Sequence, residues 1–338
     1  MRHRRPARQR ATIHDVAALA QVSIATVSKA LNGSGRMTVE TRERVLRAAQ
    51  ELSFRPNALA RGLHSKRSFT VGLLTDDVYG RFALPVMQGV TEGLIDHGVS
   101  VFLCALEENP VLAQSHLDAL MEKQVDGIVV AGRRVDRILP VDFGGLTVPV
   151  VHVMNEGGAD RVSFLPDEGQ GARLAVAHLV AQGRRRIAHV TGPARFRVAG
   201  ERAEGWRAAL AEAGLVPDGA AMFGRWSEAW GHEAVAALWA AGAPPDAVFC
   251  GNDQIARGVI DALRERGVRV PADVAVVGFD NWEIVAEETR PPLSSVDMNL
   301  REMGRQAGLA LLHEINGAEE APGVRRLPCT LKVRASSL

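Results

Sequence analysis

Between positions 24 and 29 the sequence places Ile24, Ala25, Thr26, Ser28 and Lys29 so close together that one short helix would carry them all. Ala25 and Lys29 are four apart and therefore neighbours on a helix surface, with Ile24 beside them. A lysine ammonium donates to guanine edges, whereas Ile24 and Ala25 offer only apolar contact, suited to a thymine methyl. The hydroxyls of Thr26 and Ser28 suit phosphate oxygens. Any one of these residues alone reads as an ordinary exposed helix position. The ordered set points to recognition of duplex DNA.

The elements that must position this set surround it. Thr12 followed by Asp15 is an [ST]-x-x-[DE] capping signature, and Ile13, Val16, Ala17 and Ala20 fall on one face of the helix it would start. Gln21-Val22 breaks the pattern, and Ser23 is placed to cap a second helix whose Val27, Ala30 and Leu31 can pack on the first. Two helices joined by such a turn make a helix-turn-helix, whose second helix enters the major groove by its N-terminal end. A third helix is predicted from Thr38, with Glu40 in its first turn and Val45, Leu46, Ala48, Ala49 and Leu52 closing the small core. Pro56 stops it, and Asn57 can cap residues 58–63, a segment too short to be helical unless something packs against it.

Charge separates the ends of the chain. Residues 1–67 hold 14 Lys+Arg against 4 Asp+Glu, a net of +10, so the rest holds 26 against 35, a net of −9. A basic head on an acidic body grips phosphate with one end only, and its binding weakens steeply with salt. Arginine outnumbers lysine 36 to 4, so the run Arg184-Arg185-Arg186 reads as compositional bias rather than a patch. The leading MRHRRPARQR reads as a disordered basic tail; it lacks the apolar core of a secretory signal, and no later stretch has the length of a membrane span. Cys104, Cys250 and Cys329 lie far apart in strand-like runs and are expected to be buried free thiols in a reducing cytoplasm.

From Phe69 onward strand and helix patterns alternate: TVGLL, a helix over 82–97, VSVFLCA, a helix over 110–123, DGIVVAG and VPVVHVM. The alternation restarts at Gly169 and continues through IAHVTG, AVFCGND and VAVVGFD. These βα units predict two open, mostly parallel α/β subdomains with a cleft between them, where ligands bind beyond the carboxyl ends of the strands. The chain is expected to cross back near Pro291-Pro292-Leu293, followed by a helix over 300–315 and LPCTLKVR as one final strand.

The words TIHDVAALAQVSIATVSKALNG, VETRERVLRAAQELSFRPNALARGL, RIAHVTGP, ERAEGW, AVFCGND, GVRVPADVAVVGFDN and PPLSSVDMNLREMGRQA resemble the lactose-repressor/galactose-repressor (LacI) family over nearly the whole chain. The resemblance implies an all-α helix-turn-helix headpiece joined to a periplasmic-binding-protein-like effector domain of two Rossmann-like subdomains. The implied bounds are a tail at 1–10, a DNA-binding domain at 11–56, a hinge at 57–67 and an effector and dimerisation domain at 68–338. Within the last, one subdomain covers about 68–162 and 293–325 and the other about 163–292 and 326–338. Carried onto this sequence, the resemblance implies that Ile24, Ala25 and Lys29 read the operator half-site and that Leu63 wedges into the minor groove at its centre. Thr12, Ser23, Thr26, Ser28, Asn57 and Ala60 complete the expected DNA-contact set. Gln21 stands where the family often has glycine, and Lys29 where many members have arginine, which replaces a bidentate fork by a point donor.

By the same resemblance Phe82 in the first subdomain and Arg202, Trp226, Asn252 and Asp280 in the second line an effector pocket. The chemistry is coherent. Asp280 accepts hydroxyl hydrogen bonds, Asn252 donates and accepts, Arg202 offers a rigid fork of donors, and Phe82 and Trp226 present ring faces to a sugar or heterocycle. Trp226 would also serve as a core aromatic, Arg202 as an ion-pair partner and Asp280 as a strand-end turn former. Met154 and Asn155 stand where sugar-binding members often carry aspartate, which weakens the case for a simple hexose. Arg195, Arg197 and Arg202, close in sequence, favour an anionic effector.

No P-loop, G-x-S-x-G, H-E-x-x-H or C-x-x-C occurs, and the ten histidines show no metal-ligand pairing, so neither an enzyme nor a cofactor or metal is expected. An exported solute-binding protein would share the body but not residues 12–63. The expectation is a cytoplasmic repressor that binds a palindromic operator in double-stranded DNA as a homodimer, controlled by a small-molecule effector such as a sugar or sugar derivative. The alternative is the same architecture answering to a protein coregulator or to no small effector.

Overall fold

A computed structural model describes residues 11–31, 35–54, 67–106, 109–137, 139–217, 219–242 and 244–338. The expected tail at 1–10 and the hinge residues Asn57, Ala60 and Leu63 lie outside the described residues. The chain divides into two units between Phe69 and Thr70.

The first unit contains helices α1 (Ile13–Ala20), α2 (Ile24–Leu31) and α3 (Val39–Glu51). Thr12 and Asp15 form the reciprocal box that their spacing predicts. The Thr12 N–H and hydroxyl donate to Asp15 Oδ2 at 2.7 and 2.8 Å, and the Asp15 N–H donates back to the hydroxyl at 3.4 Å. Ser23 Oγ accepts from the Thr26 N–H at 3.1 Å, and Thr38 Oγ1 accepts from the Thr41 N–H at 3.2 Å, so both later helices also start on a hydroxyl cap. Val16, Ala20, Val27, Val45 and Ala49 meet in a core of small side chains, with Ile13, Leu31, Leu52 and Phe54 packed at its margin. Arg44 Nε on α3 donates to the Ala20 carbonyl at 2.9 Å, closing off the end of α1.

The second unit holds two six-stranded sheets. The first contains β1 (Thr70–Thr75), β2 (Ser100–Ala105), β3 (Gly127–Ala131), β4 (Val150–Val153), β5 (Val162–Pro166) and β11 (Gly323–Leu327), in the order β11-β5-β4-β3-β1-β2, all parallel. The second contains β6 (Ile187–Thr191), β7 (Met222–Phe223), β8 (Ala247–Cys250), β9 (Ala275–Phe279), β10 (Ser294–Asp297) and β12 (Thr330–Lys332), in the order β12-β10-β9-β8-β6-β7, with β12 antiparallel and the rest parallel. The central strands are buried along their whole length, as parallel strands covered on both faces must be.

Helices α4 (Ala83–Leu94), α5 (Pro110–Glu122), α6 (Glu168–Ala181), α7 (Arg197–Glu212), α8 (Glu228–Ala240), α9 (Asp253–Glu265), the short α10 (Glu283–Ala286) and α11 (Leu300–Ile315) connect the strands. Glycine lets α4 and α11 touch backbone to backbone. A Cβ on Gly89 would meet the Arg301 carbonyl at 1.8 Å, and one on Gly304 would meet the Val86 carbonyl at 2.1 Å.

Four details depart from the sequence reading: Leu46, expected in the headpiece core, lies 46% exposed on α3, and the other three concern the second unit. The return crossing expected near 293 falls after Asp297, because β10 pairs with β9 and β12 in the second sheet, and the outward crossing expected at about 162 falls after β5. LPCTLKVR is not one strand: Pro328 lacks the N–H a ladder needs, so Leu327 ends β11 in one sheet and Thr330 begins β12 in the other. Cys250 is buried in a strand, but Cys329 is buried between strands and Cys104 is only half-buried. The exposure of Cys104 follows from the place of β2 at the open edge of its sheet, where Phe102 and Leu103 are 49% and 42% exposed. No helix among the described residues is long and apolar enough to cross a membrane.

Candidate functional site

On α2 the buried residues Val27 and Ala30 face the core, which turns Ile24, Ala25 and Lys29 outward; all three are exposed, Ile24 at 42%. Thr26 and Ser28 are half-buried. The hydroxyls of Thr12, Ser23 and Thr26 are already engaged, Thr12 with Asp15 and Ser23 with Thr26 at 2.9 Å, so their first role in this structure is to fix the starts of α1 and α2. Gln21 ends α1 in the left-handed region, at φ 52, with its N–H directed to the Ala17 and Ala18 carbonyls. That conformation explains the preference for glycine there.

In the second unit Phe82, Arg202, Trp226, Asn252 and Asp280 all line one cavity of about 440 Å³. Each is placed by the carboxyl end of a strand or the helix start beyond it, where an open α/β sheet presents its loops. Phe82 is set by Asp77, whose Oδ2 accepts from the N–H groups of Phe82 and Ala83 at 2.6 and 2.9 Å and so anchors the start of α4. Asn252, 2% exposed, caps α9 by accepting the Ile255 N–H on Oδ1 at 2.8 Å; among the described residues its amide NH2 has no protein partner. Trp226 lies against Gly192, where any Cβ would meet the indole at 2.1 Å, and stands edge-on to Phe196 with centroids 5.9 Å apart.

Arg202 is 4% exposed and heavily engaged. Its Nε donates to Glu168 Oε2 at 2.7 Å, Nη1 to the Gly251 carbonyl, and Nη2 lies 3.6 Å from Asp280 Oδ1, while the guanidinium carbon sits 3.7 Å from the centre of the Phe279 ring. Burial works against its charge, but Glu168 and Asp280 hold the guanidinium pKa above its ordinary value. The ion-pair reading of Arg202 and its place in the cavity are therefore both realised.

Asp280 sits at the end of β9 with φ 97, followed by Asn281 at φ 47, and Met154 on the cavity wall has φ 59. Such conformations in non-glycine residues persist only when their surroundings over-determine them. Here the Asp280 N–H donates to the Val296 carbonyl at 2.8 Å, the Asn281 N–H to Ser295 Oγ at 3.0 Å and the Trp282 N–H to Asp253 Oδ2 at 2.6 Å. Asp253 is fully buried at the head of α9, and burial, with Asp280 nearby, pushes its carboxyl up to about 7.

Sequence reasoning missed Arg81, Arg133, Arg134, Asp136, Glu168 and Phe196, which also line the cavity. Arg81 ion-pairs with Asp280, and Nη1 donates to Gln254 at 3.2 Å. Arg133 and Arg137 share Asp76, at 3.6 and 3.4 Å, and Arg134 pairs with Asp136 at 3.0 Å. Glu168 opens α6 with one carboxylate oxygen on Arg202. The available signal was position, since each lies in a loop after a strand or at the helix start that follows.

Residues 12–57 match the family described as bacterial regulatory proteins, lacI family, and residues 176–337 match a periplasmic binding protein-like domain. The chain is 32% identical over 329 residues to catabolite control protein A of Priestia megaterium, covering 96% of this chain and 99% of that protein. It is 35% identical over 315 residues to the ribose operon repressor of Escherichia coli K12, covering 90% and 93%. Among solved structures, a lac repressor dimer bound to operator and the anti-inducer ONPF superposes with a TM-score of 0.72 at 29% identity, covering 98% of this chain and all of that one. With a helix-turn-helix unit at its start and a two-sheet periplasmic-binding-protein-like unit after it, this chain belongs to the lacI family of bacterial regulatory proteins, DNA-binding regulators of transcription.

Proposed function

We propose that the chain is a repressor that binds a palindromic operator as a homodimer through α2 and changes its grip on DNA when a small molecule occupies the cleft. The observation that carries this reading is convergence. Phe82, Arg202, Trp226, Asn252 and Asp280, drawn from distant parts of the sequence, line one cavity in a chain whose other unit turns Ile24, Ala25 and Lys29 outward from α2. Its relatives support it, among them the ribose operon repressor and a lac repressor dimer bound to operator and an anti-inducer. The activity is binding and not catalysis: the carboxylates of Glu168 and Asp280 are tied to arginine and not poised beside a nucleophile.

Homodimerisation suits the edge strand β2, where Phe102 and Leu103 present apolar surface. In the mechanism, rotation of one lobe on the other changes operator affinity. The ligand shifts operator affinity only by its preference for one lobe arrangement.

Selection of binding sites from randomised duplex DNA by the purified full-length protein at physiological salt tests the reading. A palindrome with a readily kinked central step is the expected result. Recovery of nothing, even in the presence of a cell metabolite extract, would contradict it, whereas recovery only with added protein from the extract would favour a protein coregulator.

A further inference from the structure

We infer that the cleft takes a hydroxylated anion, a sugar acid or a sugar phosphate; this rests on the reading of the cleft as a ligand site and names its ligand class. The cavity wall carries the guanidinium groups of Arg81, Arg133, Arg134, Arg195 and Arg202 against the carboxylates of Asp136, Glu168 and Asp280, five positive groups against three negative. All three carboxylates are already matched: Asp136 by Arg134 at 3.0 Å, Glu168 by Arg202 at 2.7 Å, and Asp280 by Arg81 and, at 3.6 Å, Arg202. Arg195 has no carboxylate partner among the described residues, and it is exposed. Its guanidinium carbon lies 5.1 Å from the centre of the Phe196 ring, against which Arg134 also rests at 4.0 Å. Arg133 is taken up by Asp76 at 3.6 Å, so the positive charge left unmatched on the wall is that of Arg195, beside the Phe196 ring.

A second requirement comes from the buried part of the wall. Glu168, 1% exposed, uses Oε2 for Arg202, but its Oε1 is buried with no hydrogen-bond partner among the described residues. A buried acceptor left open calls for a donor, and the NH2 of Asn252 is open as well. The two requirements together select the ligand. A neutral sugar supplies hydroxyls for Glu168 and leaves Arg195 unmet. A bare anion meets the arginines and leaves Glu168 Oε1 orphaned. A molecule with hydroxyls at one end and a carboxylate or phosphate at the other satisfies both, with Phe196 and Trp226 offering ring surface to its carbon skeleton.

Titration calorimetry on the full-length protein with matched compounds separates the possibilities: glucose against gluconate, glucuronate and glucose 6-phosphate, and ribose against ribose 5-phosphate. At least one anionic member should bind about tenfold or more tightly than its neutral partner, and Arg195→Gln should bring that ratio close to one. Carboxylate or phosphate selectivity within the series assigns the source of the negative charge. A neutral sugar that binds as tightly as its acid and phosphate, or a nucleobase that binds where none of these do, with Trp226→Ala abolishing either, would overturn the anionic class and keep the cleft as a ligand site. Silence from every compound, from a protein that still selects an operator, would count against both.

Discussion

Arg81 and Asp280 belong to opposite lobes of the second unit, one just before α4 on the first sheet and the other at the end of β9 in the second, and they meet in an ion pair. The rings of Phe82 and Trp282 lie 5.1 and 4.9 Å from the Arg81 guanidinium carbon, so the pair is shielded, with side-chain exposures of 13% and 7%. Asp280 therefore both lines the cavity and forms the second-lobe end of a tie between lobes. Arg81→Met would leave Asp280 with Arg202 at 3.6 Å as its nearest cation among the described residues. Breaking a buried pair costs about 3–5 kcal/mol, and the remaining arginine should reduce that to roughly 1–3 kcal/mol, read as a lower urea midpoint. An unchanged midpoint would remove the tie from the account.

Lys29 is exposed on α2 and belongs to the outward row, so Lys29→Ala should leave the headpiece folded. Loss of a base contact should weaken operator binding by about 1–3 kcal/mol, roughly fivefold to 150-fold, with less effect on unrelated DNA. Fluorescence anisotropy on both duplexes reads the difference. An equal loss on both would make Lys29 a phosphate contact.

Gln21 is held at φ 52, a region that costs a side chain what glycine does not pay. Gln21→Gly should raise headpiece stability by about 0.5–1 kcal/mol, the steric relief being partly offset by the greater freedom of glycine in the unfolded chain. A fall in melting temperature would mean that the Gln21 side chain has an unrecognised anchoring role.

His189 is fully buried, its Nδ1 bonded to the Phe249 carbonyl at 2.9 Å and its ring stacked on Phe249, and burial pushes its pKa down to about 3. Burial likewise lowers His152 to about 4, against an ordinary 6.5. Both are neutral when folded, so as pH falls below about 6.5 the unfolded chain takes up protons first and stability declines, until about pH 4 and 3 where the folded groups protonate too. Asp253 acts in the opposite sense: its raised pKa means that stability falls as pH rises from 3.8 towards about 7. Urea titrations across pH should show that His189→Gln flattens the acid slope while Asp253→Asn steepens it. An unaltered slope in His189→Gln would show that His189 does not contribute.

The legible parts of the chain were those set by local chemistry. Thr12, Ser23 and Thr38 announce their helices because a cap acts within three residues, and the apolar runs of β1, β3, β6, β8 and β9 announce buried parallel strands. The α/β class followed from their alternation. Less legible was whatever depends on the path between lobes. The return after Asp297 and the break at Pro328 depend on which sheet accepts a strand, and Glu168 meets Arg202 only because α6 packs beside α7. Arg81 was hidden for the same reason: its partner lies 199 residues away.

Transmission of cleft occupancy to DNA is what the proposed function requires. Its most direct measurement is the dissociation constant of the selected operator, by anisotropy, with and without a saturating concentration of the tightest-binding compound from the calorimetric series. The expected result is a change of about fivefold or more in either direction for the natural chain, lost in Asp280→Ala, whose operator affinity should be the same with and without the compound. An operator affinity that stays the same while calorimetry shows the cleft filled would contradict the account.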